Sequence, residues 1–502
     1  MSHTIFCATR FGSGAKIVSV EGVFSRGLPG FYITGLANSA IQEAKHRVQS
    51  ALQSCQILLP PMKFILNLSP ADLPKSGSHF DLPIALLGAL QKVELKDEWF
   101  AFGELGLDGR LRHQDSIYPL LLQVALLKPN AKILLPKGGE KIFGLIENLN
   151  FYFVGSLQEA LEILTLEDLP SPYPRENIAL PYLEIQNERY FYSSSFEYDF
   201  LDVIGQDIAK RAALISASGF HNMILEGSPG CGKSMIVKRM RYILPPMSFQ
   251  EMIEAVKIQA LSQNQISYSS LRPFRNPHQS ASKASVLGSA TALEPKIGEI
   301  ALAHLGILFF DELPHFKKEI LESLREPLEN NTLVVSRVNS KIEYETAFLF
   351  VGAQNPCPCG NLLSTSKECR CQEREIAQYR NKLSEPFWDR IDLFVQMSEN
   401  LYASKNTLSS KQMQEKVFFA FEQQKNRGQR VLNGKLNEKE IQEFCILGEG
   451  CDELLSRAME KFGLSYRAIN RLKRVARTIA DLEGSEKIQK SHLIEAIGYR
   501  KV

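Results

Sequence analysis

The sequence has no long uninterrupted apolar run. The longest candidate, around residues 300–310, contains His304, whereas a helix that spans a bilayer needs about 18 apolar residues. The first residues also lack a charged segment followed by an apolar one, so we expect no secretory signal. From these two absences we predict a cytoplasmic protein that does not interact with membranes.

A large excess of either charge is missing as well. The 502 residues carry 58 Lys and Arg against 56 Asp and Glu, which gives a formal net charge of +2. This balance excludes a strongly acidic or basic tail protein, although a locally basic channel for DNA remains compatible with it. Nine cysteines, an odd number, in a chain without an export signal favour reduced thiols over disulfides.

The length predicts about three folded units. Clustered or alternating apolar residues predict strands over 17–24 and 64–68. Helical spacing predicts a helix from Ser39 to Leu52 with Asn38 as its N-cap, and a second helix near Asp81, whose carboxylate is a capping group. Prolines between 170 and 181 predict an irregular linker, and helical periodicity dominates the last hundred residues. We therefore predict an α/β protein with an N-terminal α+β domain (1–165), a linker (166–200), a core domain (201–400) and a helical domain (401–502).

A phosphate-binding loop of the form G-x-x-x-x-G-K-S follows an apolar, strand-like segment and precedes a helix. Such a loop points its backbone N–H groups at phosphate oxygens, and the helix N-terminus adds its positive end. Its lysine reaches the β- and γ-phosphates, and its serine hydroxyl ligates Mg²⁺. The eight residues are Gly227, Ser228, Pro229, Gly230, Cys231, Gly232, Lys233 and Ser234.

Two adjacent carboxylates end a second apolar strand, over residues 307–310. Asp311 is predicted to hold Mg²⁺ through water, and Glu312 to act as the general base that polarises the attacking water. A solvated acidic pair is the alternative, but it is disfavoured by the phosphate loop earlier in the chain. Together the two motifs predict an ATPase that uses ATP and Mg²⁺.

Several longer motifs resemble those of bacterial ComM/YifB-type proteins, in the magnesium-chelatase-like branch of the AAA+ ATPases. They occupy residues 272–278, 306–314, 324–329, 355–360, 389–393 and 476–484, and the resemblance covers essentially the whole chain. It implies an AAA+ core with a parallel sheet, a C-terminal helical lid, and an N-terminal domain similar to the Lon protease fold.

The resemblance also implies roles for three residues. Asn355 resembles sensor 1, which orients the attacking water, and Arg390 resembles an arginine finger that reaches a neighbour's γ-phosphate in trans. Arg467 resembles sensor 2 on the lid. A structural ion pair with Asp389 or Asp392 is the alternative for an arginine at position 390. A finger acting in trans implies a homo-oligomeric ring, and the family expectation is a hexamer.

The function implied by the resemblance is that of a DNA motor. It would be a branch-migration helicase acting on single-stranded and branched DNA during natural transformation or recombination. Two alternatives remain open: a chelatase-like ATPase that remodels a protein or a cofactor, and a scaffold whose partner binding is switched by ATP.

Three basic clusters are candidates for DNA binding. Two strand-like runs flank Asn339-Ser340 and predict a hairpin, which resembles the pore hairpin of ring helicases and carries Arg337 and Lys341 near its tip. The alternative to DNA binding is a solvent-exposed hairpin with ordinary surface cations. The other clusters lie over 272–283 and along the helix 467–477, where contacts between subunits are an alternative use.

Four cysteines fall within a short segment in the pattern C-x-C-x₉-C-x-C. Cys357, Cys359, Cys369 and Cys371 provide a tetrahedral thiolate set suited to structural Zn²⁺, although C-x-C is a less usual spacing than C-x₂-C. Free or redox-active thiols are the alternative.

The N-terminal domain raises the question of peptidase activity. Lon-type peptidases use a serine nucleophile activated by a lysine. On that pattern the nucleophile position falls on His79 and the lysine position on Tyr118, while the adjacent Ser78 has no lysine opposite it. We therefore predict a non-catalytic scaffold.

Overall fold

The computed structural model describes residues 3–11, 14–91, 93, 95–176, 178–262, 266, 268–290, 295–336, 341–398 and 407–501. These residues form two compact units. As far as they are described, unit 1 comprises Met1–Ala179, Val256–Tyr268 and Asn339–Ile342, and unit 2 comprises Leu180–Ala255, Ser269–Val338 and Glu343–Val502.

Unit 1 is built on a mixed sheet with the strand order β3-β4-β2-β1-β5-β8-β9. The strands of unit 1 are β1 (His3–Phe11), β2 (Gly14–Ser25), β3 (Gly30–Thr34), β4 (Lys63–Ser69), β5 (Trp99–Ala101), β6 (Glu104–Leu105), β7 (Leu111–Arg112), β8 (Ala131–Pro136) and β9 (Leu149–Val154). Of these, β6 and β7 form a separate two-stranded sheet. The helices of unit 1 are α1 (Ser39–Ser54), α2 (Asp81–Leu90), α3 (Tyr118–Leu127), α4 (Glu140–Phe143) and α5 (Leu157–Thr165). The β1–β2 and β2–β4 pairs are antiparallel, and the remaining pairs of the mixed sheet are parallel.

The predicted strands of unit 1 are confirmed as β2 and β4, and the first predicted helix as α1. The Asn38 side chain accepts a hydrogen bond from the Ile41 N–H and caps α1. Asp81 opens α2 but does not cap it, contrary to the prediction. Its buried carboxylate instead accepts hydrogen bonds from the Arg47 Nε, at 2.7 Å, and from the Leu105 N–H, at 3.3 Å. The Asp81 carboxylate thus binds Arg47 and Leu105, which are distant in sequence, and not the first N–H groups of its own helix.

The predicted linker is only partly irregular. Beyond Pro181 the chain forms a hairpin of β10 (Tyr182–Ile185) and β11 (Glu188–Phe191). The other edge of β11 pairs with β13 (Met247–Ser248). The prolines do end regular structure where they occur, but the Tyr- and Glu-containing segment after them alternates between two faces, which suits a strand. The predicted linker thus contains regular structure over residues 182–191.

Unit 2 contains a parallel sheet with the strand order β14-β17-β20-β12-β21. The remaining strands are β12 (Met223–Glu226), β14 (Phe274–Arg275), β15 (Gly288–Ala290), β16 (Pro295–Ile297), β17 (Ile307–Phe310), β18 (Thr332–Ser336), β19 (Lys341–Glu345), β20 (Leu349–Gln354) and β21 (Leu393–Gln396). Every residue of β12, β17 and β20 is buried. This explains their continuous apolar sequences, because a parallel sheet is covered on both faces.

Helices cover this sheet and form the C-terminal region. They are α6 (Asp207–Gly219), α7 (Lys233–Met240), α8 (Phe249–Ala260), α9 (Lys283–Leu287), α10 (Glu299–Leu302), α11 (Lys318–Ser323), α12 (Arg325–Asn330), α13 (Glu373–Arg380), α14 (Glu385–Trp388), α15 (Ser410–Asn426), α16 (Glu438–Phe444), α17 (Cys451–Phe462), α18 (Tyr466–Leu482) and α19 (Lys490–Gly498). Apolar residues of α15, α18 and α19 share one core with α6, β12 and β21. The predicted helical C-terminal region is confirmed, and it packs directly on the sheet.

A buried carboxylate ties this helical region together. Asp481 on α18 accepts hydrogen bonds from the guanidinium of Arg427, at 2.6 and 2.9 Å, and from the Asn433 amide, at 2.7 Å. Arg477, one turn earlier and fully buried, donates to the same carboxylate at 3.1 Å. One negative charge thus holds two guanidinium groups from different segments.

Within the described residues, no helix combines the length and the apolarity that crossing a membrane requires.

Candidate functional site

The phosphate loop connects the C-terminal end of β12 to the N-terminus of α7. Gly230 and Gly232 have φ values of +82° and +96°, in the left-handed region that favours glycine. A Cβ atom added at either glycine would meet no atom within 4 Å, so the backbone there faces open space. This is the geometry in which backbone N–H groups can approach a phosphate closely.

The lysine of the motif is folded back into its own loop. The Lys233 Nζ donates hydrogen bonds to the carbonyl oxygens of Gly227, at 2.6 Å, and Ser228, at 3.0 Å, and to the Asn355 Oδ1, at 3.1 Å. Burial lowers the pKa of Lys233. Phosphate oxygens can replace these neutral acceptors, and their negative charge would favour the protonated ammonium.

Three neighbouring strands bring the remaining residues of this cluster to the same edge. Asp311 follows β17 and Asn355 follows β20, which lies between β17 and β12 in the sheet. The Ser234 hydroxyl donates to the Asp311 Oδ2 at 2.8 Å. A hydroxyl and a carboxylate oxygen at this spacing form a donor set that suits Mg²⁺, since Mg²⁺ prefers oxygen ligands.

Glu312 lies beside this oxygen pair with its carboxylate half exposed. Its φ of +52° is unusual for a residue with a Cβ, and its N–H donates to the Asp311 Oδ1 at 3.0 Å. The Glu312 Oε2 is 3.4 Å from the His315 Nδ1. The carboxylate is therefore free of close packing and available to a water molecule.

The two predicted arginines lie together, away from these residues. The Arg390 guanidinium binds the Glu329 carboxylate and donates to the Arg325 carbonyl oxygen at 3.0 Å. The Arg467 Nη1 is 3.3 Å from the other oxygen of Glu329. Among the described residues, neither arginine has a hydrogen bond or ion pair with the phosphate loop. The alternative for Arg390, a structural ion pair, therefore stays open, but its partner is Glu329 and not Asp389 or Asp392.

The surroundings of these arginines form a pocket of about 400 Å³ within unit 2, lined by charged side chains of both signs. Arg471 lies in the same pocket and pairs with Asp389 at 3.1 Å. Sequence reasoning did not single out Glu329, although it is the last residue of the motif 324–329. Its role became visible only when the fold brought α12, α14 and α18 together.

In two of the proposed DNA-binding clusters, some arginines are engaged within the fold. Arg272 is buried and binds the Glu251 carboxylate at 3.1 Å, and Arg275 binds Glu299 at 2.6 Å. On α18, Arg477 is fully buried. The carboxylates that pair with these arginines are Glu251, Glu299 and Asp481, which lie outside the basic segments and approach them only in the folded chain. The sequence of each segment alone therefore does not reveal them.

The third cluster lies only partly within the described residues. β18 and β19 pair with each other, where the sequence predicts the two arms of a hairpin. Arg337 and the turn Asn339-Ser340 lie outside the described residues, and Lys341 is described only as the first backbone position of β19.

The four cysteines of the predicted zinc site come together. The Cys357, Cys359 and Cys369 sulfur atoms are 3.5–3.7 Å apart, and all four sulfur atoms lie within 4.8 Å of one another. A tetrahedron with Zn–S bonds of about 2.3 Å has edges of about 3.8 Å, so the donor set fits Zn²⁺. Backbone N–H groups of Asn361 and Arg370 lower the pKa of the Cys359 thiol to about 6, whereas burial and the neighbouring thiols raise the pKa values of Cys369 and Cys371. The sulfur spacing is therefore the observation that supports a metal site.

A second group of metal-ligand types fits a cation poorly. Glu254, His304 and Glu345 bring one atom each within 4.8 Å of one another. However, the His304 Nδ1 accepts a hydrogen bond from the Ala347 N–H at 3.1 Å. The proton of the neutral ring therefore lies on Nε2, which faces the carboxylates and cannot coordinate a metal in that form.

In unit 1, the positions compared with a Lon-type dyad make hydrogen bonds to other groups. The His79 Nε2 contacts the Ala8 carbonyl oxygen at 2.9 Å, and burial lowers the pKa of His79 to about 4. The Tyr118 hydroxyl bonds to that of Tyr268. The neighbouring Ser78 hydroxyl donates to the Glu104 carboxylate at 2.6 Å, so its partner is not a lysine.

Comparison with known families agrees with this geometry. The family model for the magnesium chelatase subunit ChlI matches residues 199–405, a second model for subunit ChlI matches 20–139, and the model for the ChlI C-terminal region matches 407–500. The chain is 38% identical over 507 aligned residues to the competence protein ComM of Haemophilus influenzae, covering 99% of this chain and 97% of that protein. The chain belongs to the ComM/YifB family of magnesium-chelatase-like AAA+ proteins.

Other members of this family align over nearly their full length. An uncharacterized protein YifB of Escherichia coli is 37% identical, with 98% of this chain and 95% of that protein covered. An uncharacterized protein of Mycobacterium bovis is 30% identical, with 98% and 97% covered. The family predicted from the sequence is therefore confirmed, as is an AAA+ core with a parallel sheet.

Proposed function

We propose that this protein is a ring-forming ATPase that uses ATP hydrolysis to move DNA. The observation that carries the proposal is the division of the catalytic groups into two clusters. Lys233, Ser234, Asp311 and Asn355 form one, with Glu312 beside them, while Arg390 and Arg467 meet on Glu329. A nucleotide at the first cluster gains its arginines only if a second copy supplies them.

Within one subunit, each residue of the first cluster has a separate task. The phosphate loop and Lys233 bind the β- and γ-phosphates, and Ser234 and Asp311 hold Mg²⁺. When bound, Mg²⁺ neutralises charge on the phosphate oxygens. Glu312 accepts a proton from the attacking water, which Asn355 orients. The exposed position of the Glu312 carboxylate supports this assignment.

The neighbouring subunit completes the site with its arginine cluster. Arg390 stabilises the charge that develops on the transferred phosphoryl group, and such fingers contribute about 10³-fold or more in rate. Arg467 accompanies it, because both side chains bind the same carboxylate. We therefore propose that Arg467, as sensor 2, and Arg390, as the finger, both act on the nucleotide of the neighbouring subunit. Repetition of this head-to-tail contact closes a ring, for which the family expectation is a hexamer.

The proposal that the substrate is DNA is based on the family to which the chain belongs. One relative is named a competence protein, and the resemblance implies branch migration of single-stranded and branched DNA during natural transformation. We propose that Arg337 and Lys341, on the hairpin of β18 and β19, bind DNA phosphates in the centre of the ring.

Two further parts complete the proposal. Cys357, Cys359, Cys369 and Cys371 hold a structural Zn²⁺, supported by the spacing of their sulfur atoms. Residues 1–165 are a Lon-protease-like scaffold without peptidase activity, supported by the buried, hydrogen-bonded His79. The linker, core and lid are proposed over 166–200, 201–400 and 401–502.

A second candidate function is the remodelling of a protein or cofactor. The match of residues 199–405 to a magnesium chelatase subunit favours it. In this case ATP turnover would respond to a protein partner and not to DNA.

The test measures ATP turnover with and without single-stranded, double-stranded and branched DNA at several salt concentrations. DNA stimulation that weakens as salt rises is expected, because phosphate contacts release counterions. An Arg337→Ala/Lys341→Ala double variant should lose the stimulation but keep the basal rate. A Glu312→Gln variant should bind ATP and lose turnover. A rate of ATP turnover that no DNA changes would exclude the DNA-motor hypothesis and favour the remodelling ATPase.

A further inference from the structure

The segment that carries the four cysteines lies directly against the phosphate loop. We call this segment, residues 355–372 between β20 and α13, the cysteine loop. A Cβ atom added at Gly360 would lie 2.6 Å from the Pro229 Cδ and 3.9 Å from the Asn355 Cγ. The φ of Gly360 is +81°, in the left-handed region that favours glycine. Glycine therefore suits this position because of its backbone conformation and because a side chain would collide with Pro229. The cysteine loop, which begins at the predicted sensor Asn355, therefore packs at Gly360 against Pro229 of the phosphate loop.

The two loops enclose a small pocket of about 270 Å³. Its lining residues are Ser228, Pro229, Gly230, Cys231, Asn361, Ser366 and Lys367. The phosphate-loop half of this lining includes Gly230, whose missing side chain leaves open space. The opposite wall contributes one cation, Lys367.

Lys367 is exposed, and among the described residues its ammonium has no ion pair with a carboxylate. It lies two residues before Cys369, whose sulfur is 3.6–3.7 Å from those of Cys357 and Cys359. The position of Lys367 is therefore set by how tightly the cysteines are held together. A metal bound by four thiolates fixes such a loop far more firmly than thiols alone.

We propose that Lys367 binds the polyphosphate of ATP and that the metal at the cysteines holds it in place for this contact. The cysteine loop is thus the second wall of the nucleotide site, and nucleotide affinity depends on whether the metal is bound. This inference rests on the nucleotide site and the metal proposed above.

The first test compares two neighbouring cations of the cysteine loop. Binding of a fluorescent ATP analogue is measured for the zinc-loaded wild type and for Lys367→Ala, Lys367→Arg and Arg370→Ala. The Lys367→Ala variant should bind about tenfold more weakly, since it loses one charge-assisted hydrogen bond. The Lys367→Arg variant should restore most of the affinity. Arg370 is exposed and does not line the pocket, so its variant should match the wild type. Equal affinities for Lys367→Ala and the wild type would overturn the proposal.

The second test removes the metal. Zinc content is measured by elemental analysis, and nucleotide affinity before and after chelation. Chelation should weaken binding by the wild type by a factor similar to that of the Lys367→Ala substitution. In the Lys367→Ala variant, chelation should change the affinity little, because the residue that the metal positions is already gone. Equal losses in both proteins would show that the metal acts independently of Lys367 and overturn the coupling.

A Lys233→Ala variant separates this inference from the proposed function. If the wild type binds ATP no better than Lys233→Ala, the nucleotide site itself is wrong. If the wild type binds ATP but neither Lys367→Ala nor chelation alters its affinity, only the role of the cysteine loop is wrong.

Discussion

His79 is the residue that the sequence comparison aligned with the nucleophile of Lon-type peptidases. Its ring is buried, its Nε2 contacts the Ala8 carbonyl oxygen, and its pKa is lowered from 6.5 to about 4 because burial penalises the charged form. The residue has become part of the core of unit 1. Its protonation is therefore linked to the stability of that unit.

We expect the stability of unit 1 to fall on acidification because of His79. Between pH 6.5 and about 4 the unfolded chain binds one more proton at this residue than the folded chain does. The free energy of unfolding therefore decreases by about 1.4 kcal/mol for each pH unit in that window and is fully retained above it. Denaturant titrations at pH 4.5 to 7.5, followed by Trp99 fluorescence in a Trp388→Phe background, measure this dependence.

A His79→Gln variant provides the comparison. Glutamine can donate to the Ala8 carbonyl oxygen but does not titrate, so the slope should flatten by that amount. An unchanged slope in His79→Gln would show that other groups of unit 1 cause the pH dependence.

At the residue scale the sequence predicted that Ser234 and Asp311 share one Mg²⁺, and the hydrogen bond between them agrees with that prediction. It did not predict the partner of Arg390, because no recognised motif links Glu329 to Arg390 and the pair forms only through tertiary folding. Sequence separation is not the cause, since Ser234 and Asp311 are 77 residues apart.

At the scale of elements, α18 depends on the buried Asp481 carboxylate. This carboxylate binds Arg427 and the fully buried Arg477, which belong to different segments. The helix was predicted from its periodicity. The burial of its charged residues was not, because a basic stripe in sequence is usually solvated.

Replacement of Asp481 by alanine should destabilise unit 2 strongly. Two guanidinium groups would lose their carboxylate, and removal of one partner from a buried pair typically costs about 3–5 kcal/mol. The free energy of unfolding is measured by Trp388 fluorescence in a Trp99→Phe background. The exposed carboxylate of Glu486 provides a matched control, and Glu486→Ala should change stability by less than about 0.5 kcal/mol. Similar stabilities of the two variants would contradict a central role for Asp481.

At the scale of the whole molecule, the separation of the two catalytic clusters makes a prediction about mixed rings. An Arg390→Ala protein should bind ATP but lose turnover by about 10³-fold. A Lys233→Ala protein should not bind ATP but can still donate Arg390. Neither should be active alone, and an equimolar mixture should recover about a quarter of the wild-type rate if subunits mix at random around the ring.

The control for this experiment is a mixture of Arg390→Ala with the Lys233→Ala/Arg390→Ala double variant, which should stay inactive. Full turnover by a single-subunit Arg390→Ala protein would refute action in trans. Arg467→Ala, mixed in the same way, tests the assignment of sensor 2 to the same face.

Glu329 gives the lone subunit a distinct electrostatic character. Because the Glu329 carboxylate pairs with Arg390 and Arg467, an unassembled copy keeps the proposed finger, Arg390, in an internal ion pair, and the cluster retains one net positive charge. In the proposed ring, the triphosphate on a neighbouring subunit must compete with that carboxylate before the arginines can change partners. The proposed mechanism therefore couples nucleotide on one subunit to the opening of an ion pair within the next.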